Sequence, residues 1–454
     1  MEWTPSTDTF AAAHGWRGPA FVILVGLAAL ACTGPRGDHP KGATTRSGGE
    51  APITESELEA RRDRIRKHFD ERSKRRQVVA TTVTKSGQTI DWIRPESQVP
   101  DGRLAQPPVD RPSPKDPSGS PNPFLQVRVP LRWTDLAAQG ELLEAGAQGP
   151  KGTVPIVRFD VTRYLEEVKI PPQDPRDVLQ KTPPPSPASN DRYYAVWQRF
   201  GTFFGSAGRI NVWDTSGPVG NETSIAQTAV IRGTPMQAIE AGKIELQSLN
   251  GNRGPYFFTY YRTNGAASGD WTGGYNTLVD GWIQYSSSVA PGMSISAWNS
   301  STGGNQYSLD LEVRIHQGNW WVWVAGQWAG YYPLCRGGDA PPCDSGTLFS
   351  ASGILEQASR LDWFGEVFDS SAPAATSTDM GSGAHAAGGW RQAAYFRNLT
   401  FYWAPTTYWW WDSGSVSATD SACYSGNGPF YSADAAWRNW FFYGGPGKEG
   451  SGCT

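Results

Sequence analysis

The sequence is short of the residues on which histidine and metal chemistry depends. Its 454 residues include five His, five Cys and four Met, and only two of the His, His316 and His385, lie beyond residue 190. No Cys-x-x-Cys pair or Cys/His ligand spacing is present, so a metal site has little support and no cofactor is expected. Neither His accompanies a Gly-x-Ser-x-Gly elbow, which disfavours a serine or cysteine hydrolase.

Positive charge is scarce in the C-terminal part of the chain. Residues 191–454 hold 14 Lys and Arg against 20 Asp and Glu, which leaves 26 against 23 for residues 1–190. Most of the 21 Trp and 17 Tyr lie in the acidic part. Because a phosphate-binding surface needs clustered cations, we do not expect nucleic-acid binding.

Long hydrophobic runs are also absent. The most apolar stretch is AFVILVGLAALA at residues 20–31, and about a dozen residues are too few to span a bilayer. With Arg17 before it, this stretch predicts a signal peptide over residues 1–32. It ends at Cys32 in a tetrapeptide, ALAC, that resembles a bacterial lipoprotein box, and a Gly-rich tether follows at 33–53.

We therefore expect an exported chain, either extracellular or a cell-envelope lipoprotein whose only membrane contact is a lipid on Cys32. Ordinary signal cleavage, with Cys32 discarded, is the alternative. The four other cysteines suit two disulfides in an oxidising compartment. Of the three possible connectivities we favour the one with the shorter loops, which pairs Cys335 with Cys343 and Cys423 with Cys453.

The chain divides into segments of different character. Residues 54–170 begin with a charged helix at 54–78, which lacks Gly and Pro, and residues 171–190 form a Pro-rich linker. From residue 191 onward, short alternating runs such as Tyr307–Ile315 are separated by Gly, Asn, Ser and Pro clusters. This pattern predicts an all-β domain at 191–454, an antiparallel β-sandwich of the jelly-roll or concanavalin-like kind.

Carboxylates are what remain for acid/base chemistry. Glu240 lies in AIEAG and Glu366 in WFGEV, where apolar side chains and Gly can desolvate a carboxylate and raise its pKa. Asp310, Glu312 and Glu245 lie in polar positions, and we expect them to be solvated. Two edge-strand glutamates without a catalytic role are the alternative reading of Glu240 and Glu366.

Around these glutamates the chain resembles the neprosin family. The resemblance rests on an ordered set of motifs that covers residues 191–454: QAIEAG at 237–242, GYN at 274–276, WFGEV at 363–367, TDMGSG at 378–383 and FYGGPG at 442–447. The stretches SGQTID at 86–91 and GTVPI at 152–156 resemble the activation peptide of that family, which makes residues 54–170 a pro-region.

The resemblance implies a peptidase with a β-sandwich fold. It implies that the enzyme is made as a zymogen and cleaves after proline in acid, with Glu240 and Glu366 as the catalytic pair. The substrates would be peptides or proteins, including proline-rich ones. In such a pair one carboxyl stays protonated while the other acts as a general base on water, and the sequence leaves open which glutamate does which. Tyr275, Asn276 and Trp271 are candidate substrate-binding residues.

Two departures from the family pattern lie beside the glutamates. Lys243 stands where Trp is usual, so we expect a cation near the groove that lowers the pKa of Glu240. Phe364 stands where Gly is usual, so we expect a narrower site. A non-catalytic surface-binding module, for carbohydrate or protein, is the competing interpretation, because aromatic residues such as Trp321 and Trp323 could line a binding groove instead of filling the core.

Overall fold

A computed structural model describes most of the chain beyond residue 54. The described residues are 55–109, 121–122, 127–128, 148–160, 192–215, 222–234, 236–263, 273–278, 281–344, 346–368 and 377–447. The predicted signal peptide, the tether, Cys32 and the linker at 171–190 lie outside them. None of the helices within the described ranges is long and apolar enough to cross a membrane.

The N-terminal part contains a helix and a small sheet. The predicted charged helix is observed as α1, Glu55–Arg75, and its ion pairs, such as Arg66 to Asp63 at 2.9 Å, lie on its solvent-exposed surface. Strands β1 (Val78–Val83), β2 (Thr89–Ile93) and β5 (Val154–Val157) form an antiparallel sheet in the order β1-β2-β5. The two-residue strands β3 (Pro121–Asn122) and β4 (Val127–Arg128) pair with each other.

The rest of the described chain forms two larger antiparallel sheets. The seven-stranded sheet has the order β11-β10-β9-β8-β16-β6-β19. Its strands are β6 (Arg192–Phe203), β8 (Thr223–Arg232), β9 (Gln237–Leu246), β10 (Tyr256–Arg262), β11 (Gly273–Tyr275), β16 (Ala358–Phe368) and β19 (Val416–Ala418).

The nine-stranded sheet has the order β12-β15-β14-β13-β7-β17-β21-β20, with β18 paired to β17. Its strands are β7 (Gly205–Asn211), β12 (Ile283–Gln284), β13 (Ser308–His316), β14 (Asn319–Val324), β15 (Gln327–Tyr332), β17 (Ala394–Ala404), β18 (Thr407–Trp410), β20 (Ser425–Tyr431) and β21 (Asn439–Gly444). The helical turns between strands are α2 (Gln247–Asn250) and five 3-10 turns at Pro95–Gln98, Ser296–Trp298, Arg336–Gly338, Ala386–Gly388 and Ala435–Trp437.

The two large sheets pack face to face, which confirms the predicted all-β sandwich. Trp363 of β16 donates to the Ser206 hydroxyl of β7 at 2.9 Å, and its ring lies 5.8 Å from that of Phe396 in β17. Side chains alternate along each strand, so Leu361, Trp363 and Val367 fill the space between the sheets. The side chains between them on β16, including Glu366, lie on the opposite face of the seven-stranded sheet.

The strand predicted at Tyr307–Ile315 is present as β13, but its polar face is not solvated. Asp310, Glu312 and Arg314 are all buried, and Glu312 forms an ion pair with Arg314 at 3.1 Å. Glu245 is equally buried and pairs with Lys243. The prediction that these carboxylates are solvated was wrong. For Glu245 and Glu312, a cation two residues away on the same strand face neutralises the charge inside the fold, whereas Asp310 lies opposite Arg209 of β7 in the strand register.

The structure confirms the predicted Cys335–Cys343 disulfide. Cys423 is also disulfide-bonded. Its predicted partner, Cys453, lies outside the described residues, so that pairing remains a prediction.

Two glutamine side chains of the N-terminal part dock on the sandwich through backbone groups. The Gln88 amide donates to the Gly292 carbonyl at 2.7 Å and accepts from the Ser294 N–H at 3.0 Å. The Gln98 amide likewise donates to the Gln284 carbonyl at 2.8 Å and accepts from the Gln284 N–H at 2.9 Å. Because amides do not titrate, these contacts hold equally well in acid and at neutral pH.

Candidate active site

Glu240 and Glu366 lie on the same face of the seven-stranded sheet, the one turned away from the other large sheet. Glu240 is on β9 and Glu366 is on β16, and β8 runs between them. The register places Glu240 opposite Ala229 of β8 and Glu366 opposite Ile225. Gln227 therefore occupies the position midway between the two glutamates on the same face.

Glu366 is held by a cation and an amide. Its carboxylate forms an ion pair with the Arg192 guanidinium of β6 and accepts a hydrogen bond from Gln227 Nε2 at 3.1 Å. Only 3% of Glu366 is exposed. Burial raises the pKa of Glu366 above its ordinary value, while Arg192, Arg262 and Gln227 oppose that rise by favouring the charged form.

Glu240 has a different environment. It is 8% exposed, and within the described part of the chain no group forms a hydrogen bond or ion pair with its carboxylate. Burial, followed by the negative charge of Glu366, raises the pKa of Glu240 to about 8. Ala238 and Gly242 flank Glu240 on this face, and neither residue carries a charge that could offset the rise in the pKa of Glu240.

The two glutamates therefore favour different protonation states. The paired Glu366 is the better site for a negative charge, and the unpaired Glu240 is the better site for a proton. Two carboxyls that influence each other in this way titrate as a pair. When the pair carries a single proton, these contacts favour Glu240 as the group that holds it.

Gln227 joins the pair chemically as well as by position. Its side chain is fully buried, and its Nε2 donates to Glu366. Its Oε1 is buried and accepts no hydrogen bond from any of the described residues. An unsatisfied buried acceptor between the two glutamates is suited to accept from a water molecule or from a protonated carboxyl.

A second ion pair and a second arginine complete the electrostatics of this face. Asp362, on the cross-strand row of Glu240, is fully buried and pairs with Arg360 at 3.1 Å. The charge of Asp362 raises the pKa of Glu240, whereas Arg262 of β10 lowers it. The positive charges of Arg192 and Arg262 thus act on the pair, and they favour its singly ionised form over the fully protonated one.

The candidate substrate-binding residues have different settings. Tyr275 of β11 lies opposite Tyr260, which lies opposite Glu240, and the two tyrosine rings are 4.9 Å apart. Asn276 holds the following turn, because its Oδ1 accepts from the Thr259 N–H at 3.0 Å. Trp271 lies outside the described residues. Substrate contact by these three residues stays a prediction.

Lys243 does not lie beside Glu240. It is three residues further along β9, on the opposite face, where its ammonium bonds Glu245 and the Trp213 carbonyl. The expectation that it lowers the pKa of Glu240 was wrong because strand alternation separates the two side chains. Phe364, by contrast, shares the face of Glu366 and packs on Tyr194, with ring centroids 5.9 Å apart.

Other chemistry finds little support in the described residues. Trp321 is buried within the nine-stranded sheet and Trp323 packs edge-on against Trp328 there, so neither lies near the glutamates. His385 Nδ1 lies 3.3 Å from the Ser425 hydroxyl, but that hydroxyl also contacts the Gly444 carbonyl at 3.3 Å. Across the described ranges no group of three or more His, Cys, Asp or Glu side chains could hold a metal ion.

Arg192 and Gln227 are the site residues that sequence reasoning missed. One signal was present: three other buried carboxylates have a cation two residues away on their own strand, in the ion pairs Lys243–Glu245, Glu312–Arg314 and Arg360–Asp362. Glu240 and Glu366 have none at that spacing. A carboxylate without such a neighbour must stay protonated or find its cation on another strand.

A comparison with known protein families identifies the chain. The Neprosin family model matches residues 220–446, which is half of the chain and includes both glutamates, Gln227 and Tyr275. The chain therefore belongs to the neprosin family, a family of peptidases.

Proposed function

We propose that the protein is a glutamic endopeptidase that hydrolyses peptide bonds with Glu366 as general base and Glu240 as general acid. The observation that carries the proposal is the asymmetry of the pair. Glu366 has Arg192 and Gln227 as partners, whereas Glu240 is buried without a partner in the described residues. A hydrolase that uses two carboxylates needs this division into one ionised and one protonated group.

The reaction follows from that division. Glu366 removes a proton from a water molecule as the oxygen of that water attacks the peptide carbonyl carbon. The Glu240 carboxyl donates a hydrogen bond to the developing oxyanion and then gives its proton to the leaving amine as the C–N bond breaks. The pair ends with its proton on Glu366, and the return of a proton to Glu240 by exchange with solvent restores the starting state.

Cleavage after proline is the specificity we propose, with Tyr275 and Tyr260 as the aromatic surface against which a proline ring would pack. Both rings are on the row of Glu240. Aromatic faces bind the flat, apolar proline ring with little loss of conformational entropy. The substrates would then be proline-containing peptides or proteins.

We further propose that the full chain is a latent precursor. Both catalytic carboxyls and Tyr275 are buried in the full chain, which supports a site that must be uncovered before a peptide can enter. Removal of residues up to about 190 would activate it.

Export is also proposed: the Cys335–Cys343 disulfide suits an oxidising compartment, and lipid attachment at Cys32 can be tested by mass spectrometry of the membrane-associated protein.

The test is to incubate the purified full chain at several pH values between 3 and 8 with a proline-containing peptide and to follow both self-trimming and peptide cleavage by mass spectrometry. Wild type should trim itself and cleave the peptide. Glu240→Gln and Glu366→Gln should do neither. The matched control is Glu356→Gln, which removes an exposed glutamate two residues before β16 and should retain activity.

Activity that survives in either site variant contradicts the assignment of these residues. An inactive wild type at every pH contradicts the proposed function itself. In that case the competing binding module gains support, since Trp403 and Trp409 at the β17–β18 hairpin are 55% and 57% exposed. Binding to a glycan panel that Trp409→Ala abolishes and Glu240→Gln leaves intact would establish it.

A further inference from the structure

Arg192 lies outside the residues matched by the family model and outside the sequence motifs. It is the first residue of β6 and precedes the matched range of 220–446. Only Asp191 separates Arg192 from the Pro-rich linker at 171–190, and the last proline of that linker is Pro187. The side chain that neutralises Glu366 therefore comes from the very start of the sandwich domain.

The contacts of Arg192 fix its guanidinium on Glu366. Arg192 pairs with Phe368 across the β6–β16 register, and its guanidinium lies 4.3 Å from the centre of that ring. One guanidinium nitrogen, Nη1, donates to Glu366 Oε1, and the arginine is 4% exposed. Stacking on Phe368 and pairing with Glu366 leave the side chain little freedom to move elsewhere.

The groups that face this ion pair come from five strands. Glu240 on β9 and Asp362 on β16 are the other carboxylates, Arg262 on β10 is the other cation, and Tyr194 on β6 and Tyr275 on β11 are the nearby phenols. Arg192 lowers the pKa of Glu366 through both its charge and a hydrogen bond, and the charge of Arg262 has a smaller effect. Loss of Arg192 would therefore remove the main group that keeps Glu366 ionised.

We propose that Arg192 is a positioning residue that keeps Glu366 ionised, and that activation must therefore cut the chain on the N-terminal side of Arg192. This inference rests on the proposed function. A cut after Pro183, Pro184, Pro185 or Pro187 keeps Arg192 attached to the domain. A cut even one residue beyond Arg192 would remove the cation together with the pro-region.

The first measurement needs no variant. The N-terminus of the activated wild-type protein is determined by mass spectrometry, and we expect it at or before residue 192. An active form that begins after residue 192 would overturn the proposal.

The second measurement is the pH dependence of kcat/KM for Arg192→Gln, Arg192→Lys and the control Arg199→Gln. Arg199 is a close match, because it lies on the same strand, pairs with Asp412 at 2.7 Å and stacks 4.1 Å from the centre of the Phe401 ring. Asp412, however, is a surface carboxylate. Without Arg192, little opposes the rise that burial causes in the pKa of Glu366. The acid limb of the pH profile of kcat/KM should therefore move up by at least one pH unit.

At a pH on the acid limb of the wild type, Arg192→Gln should then lose at least tenfold in kcat/KM and recover part of that loss as the pH rises. Arg192→Lys should keep the limb close to that of the wild type because it retains the charge. A merely structural role would lower the rate at every pH without moving the limb, and that result would overturn the proposal.

The two proposals fail in distinguishable ways. If the wild type and Arg199→Gln cleave peptides but the limb of Arg192→Gln is unmoved, or moves no further than that of Arg199→Gln, this inference alone is wrong. If the wild type and Arg199→Gln are both inactive, the proposed function fails and this inference fails with it. Should Arg192→Gln not fold, the Arg192→Lys limb and the N-terminus of the activated wild type decide the matter.

Discussion

The unpaired state of Glu240 predicts that a substitution in the candidate active site stabilises the protein. Glutamine has the shape of a protonated glutamate but cannot ionise, so Glu240→Gln preserves packing and removes the tendency to lose a proton. In the wild type, the folded chain keeps the Glu240 proton over a pH range in which the unfolded chain releases it. Stability therefore falls as the pH rises through that range, and the variant escapes this loss.

The magnitude follows from the pKa of Glu240, which is about 8 in the folded chain against an ordinary value of 4.5. Below pH 4.5 both states are protonated, so wild type and variant should be equally stable. Each pH unit above that adds about 1.4 kcal/mol to the advantage of the variant. The advantage should reach about 3 kcal/mol near pH 6.5 and at most about 5 kcal/mol near pH 8, above which it stays constant.

The assay is urea unfolding of the full chain at pH 5, 6.5 and 8, with the mass checked to confirm that the chain is intact. Glu245→Gln is the matched control, since Glu245 lies on the same strand and is equally buried but pairs with Lys243. It should lower the free energy of unfolding by about 3–5 kcal/mol, because it leaves a buried ammonium uncompensated. A stability difference for Glu240→Gln that does not change with pH, or a loss of stability throughout, would refute the reasoning.

Three further predictions follow from the ion pairs and the disulfide. Glu366→Gln should lower the free energy of unfolding by about 3–5 kcal/mol, opposite in sign to Glu240→Gln, because Arg192 loses its carboxylate; urea unfolding at neutral pH checks this. Lys243→Met should lower the free energy of unfolding by a similar amount, because it leaves the buried Glu245 carboxylate without its cation, but it should not change the pH profile of peptide cleavage. A shifted pH profile would contradict the placement of Lys243 on the face opposite Glu240. Replacing both cysteines of the Cys335–Cys343 disulfide by Ser should lower stability by only about 2–3 kcal/mol, since the closed loop is short, and a larger loss by urea unfolding would contradict that estimate.

The fold was accessible from sequence because strand alternation is local. Leu309, Leu311 and Val313 alternate with polar residues, and this spacing alone predicts a strand with a core side. The same alternation misled the interpretation of Asp310 and Glu312. A polar face indicates solvent only when nothing covers it, and here the ion pair between Glu312 and Arg314 makes the burial of Glu312 tolerable.

The candidate site was accessible in part. Apolar flanks made Glu240 and Glu366 candidates, and the resemblance to the neprosin family made them a pair. The structure places both on one face of one sheet. Arg192 could not be found in that way, because it contacts Glu366 across a sequence separation of 174 residues. Pairing of non-consecutive strands decides such contacts, and a single sequence does not carry that information.

The misplacement of Lys243 has a simple physical cause. Side chains three positions apart on a strand point to opposite faces, so Lys243 is close to Glu240 in sequence but lies on the other side of the sheet. The protonation of Glu240 is set instead by burial and by Glu366, two strands away. Strand parity is a property of the sequence alone, and it assigns Lys243 to the face opposite Glu240.

The central claim is that Glu240 and Glu366 work as a pair that shares one proton. The most direct test is the pH dependence of kcat/KM for the activated wild-type protein on a proline-containing peptide, which reports the titration of the free enzyme. The shared proton predicts a bell-shaped profile, with an acid limb from Glu366 and an alkaline limb from Glu240, whose pKa the charge of Glu366 raises above its ordinary value. A rate that stays constant at all higher pH values, or a profile with no acid limb, would contradict the shared proton.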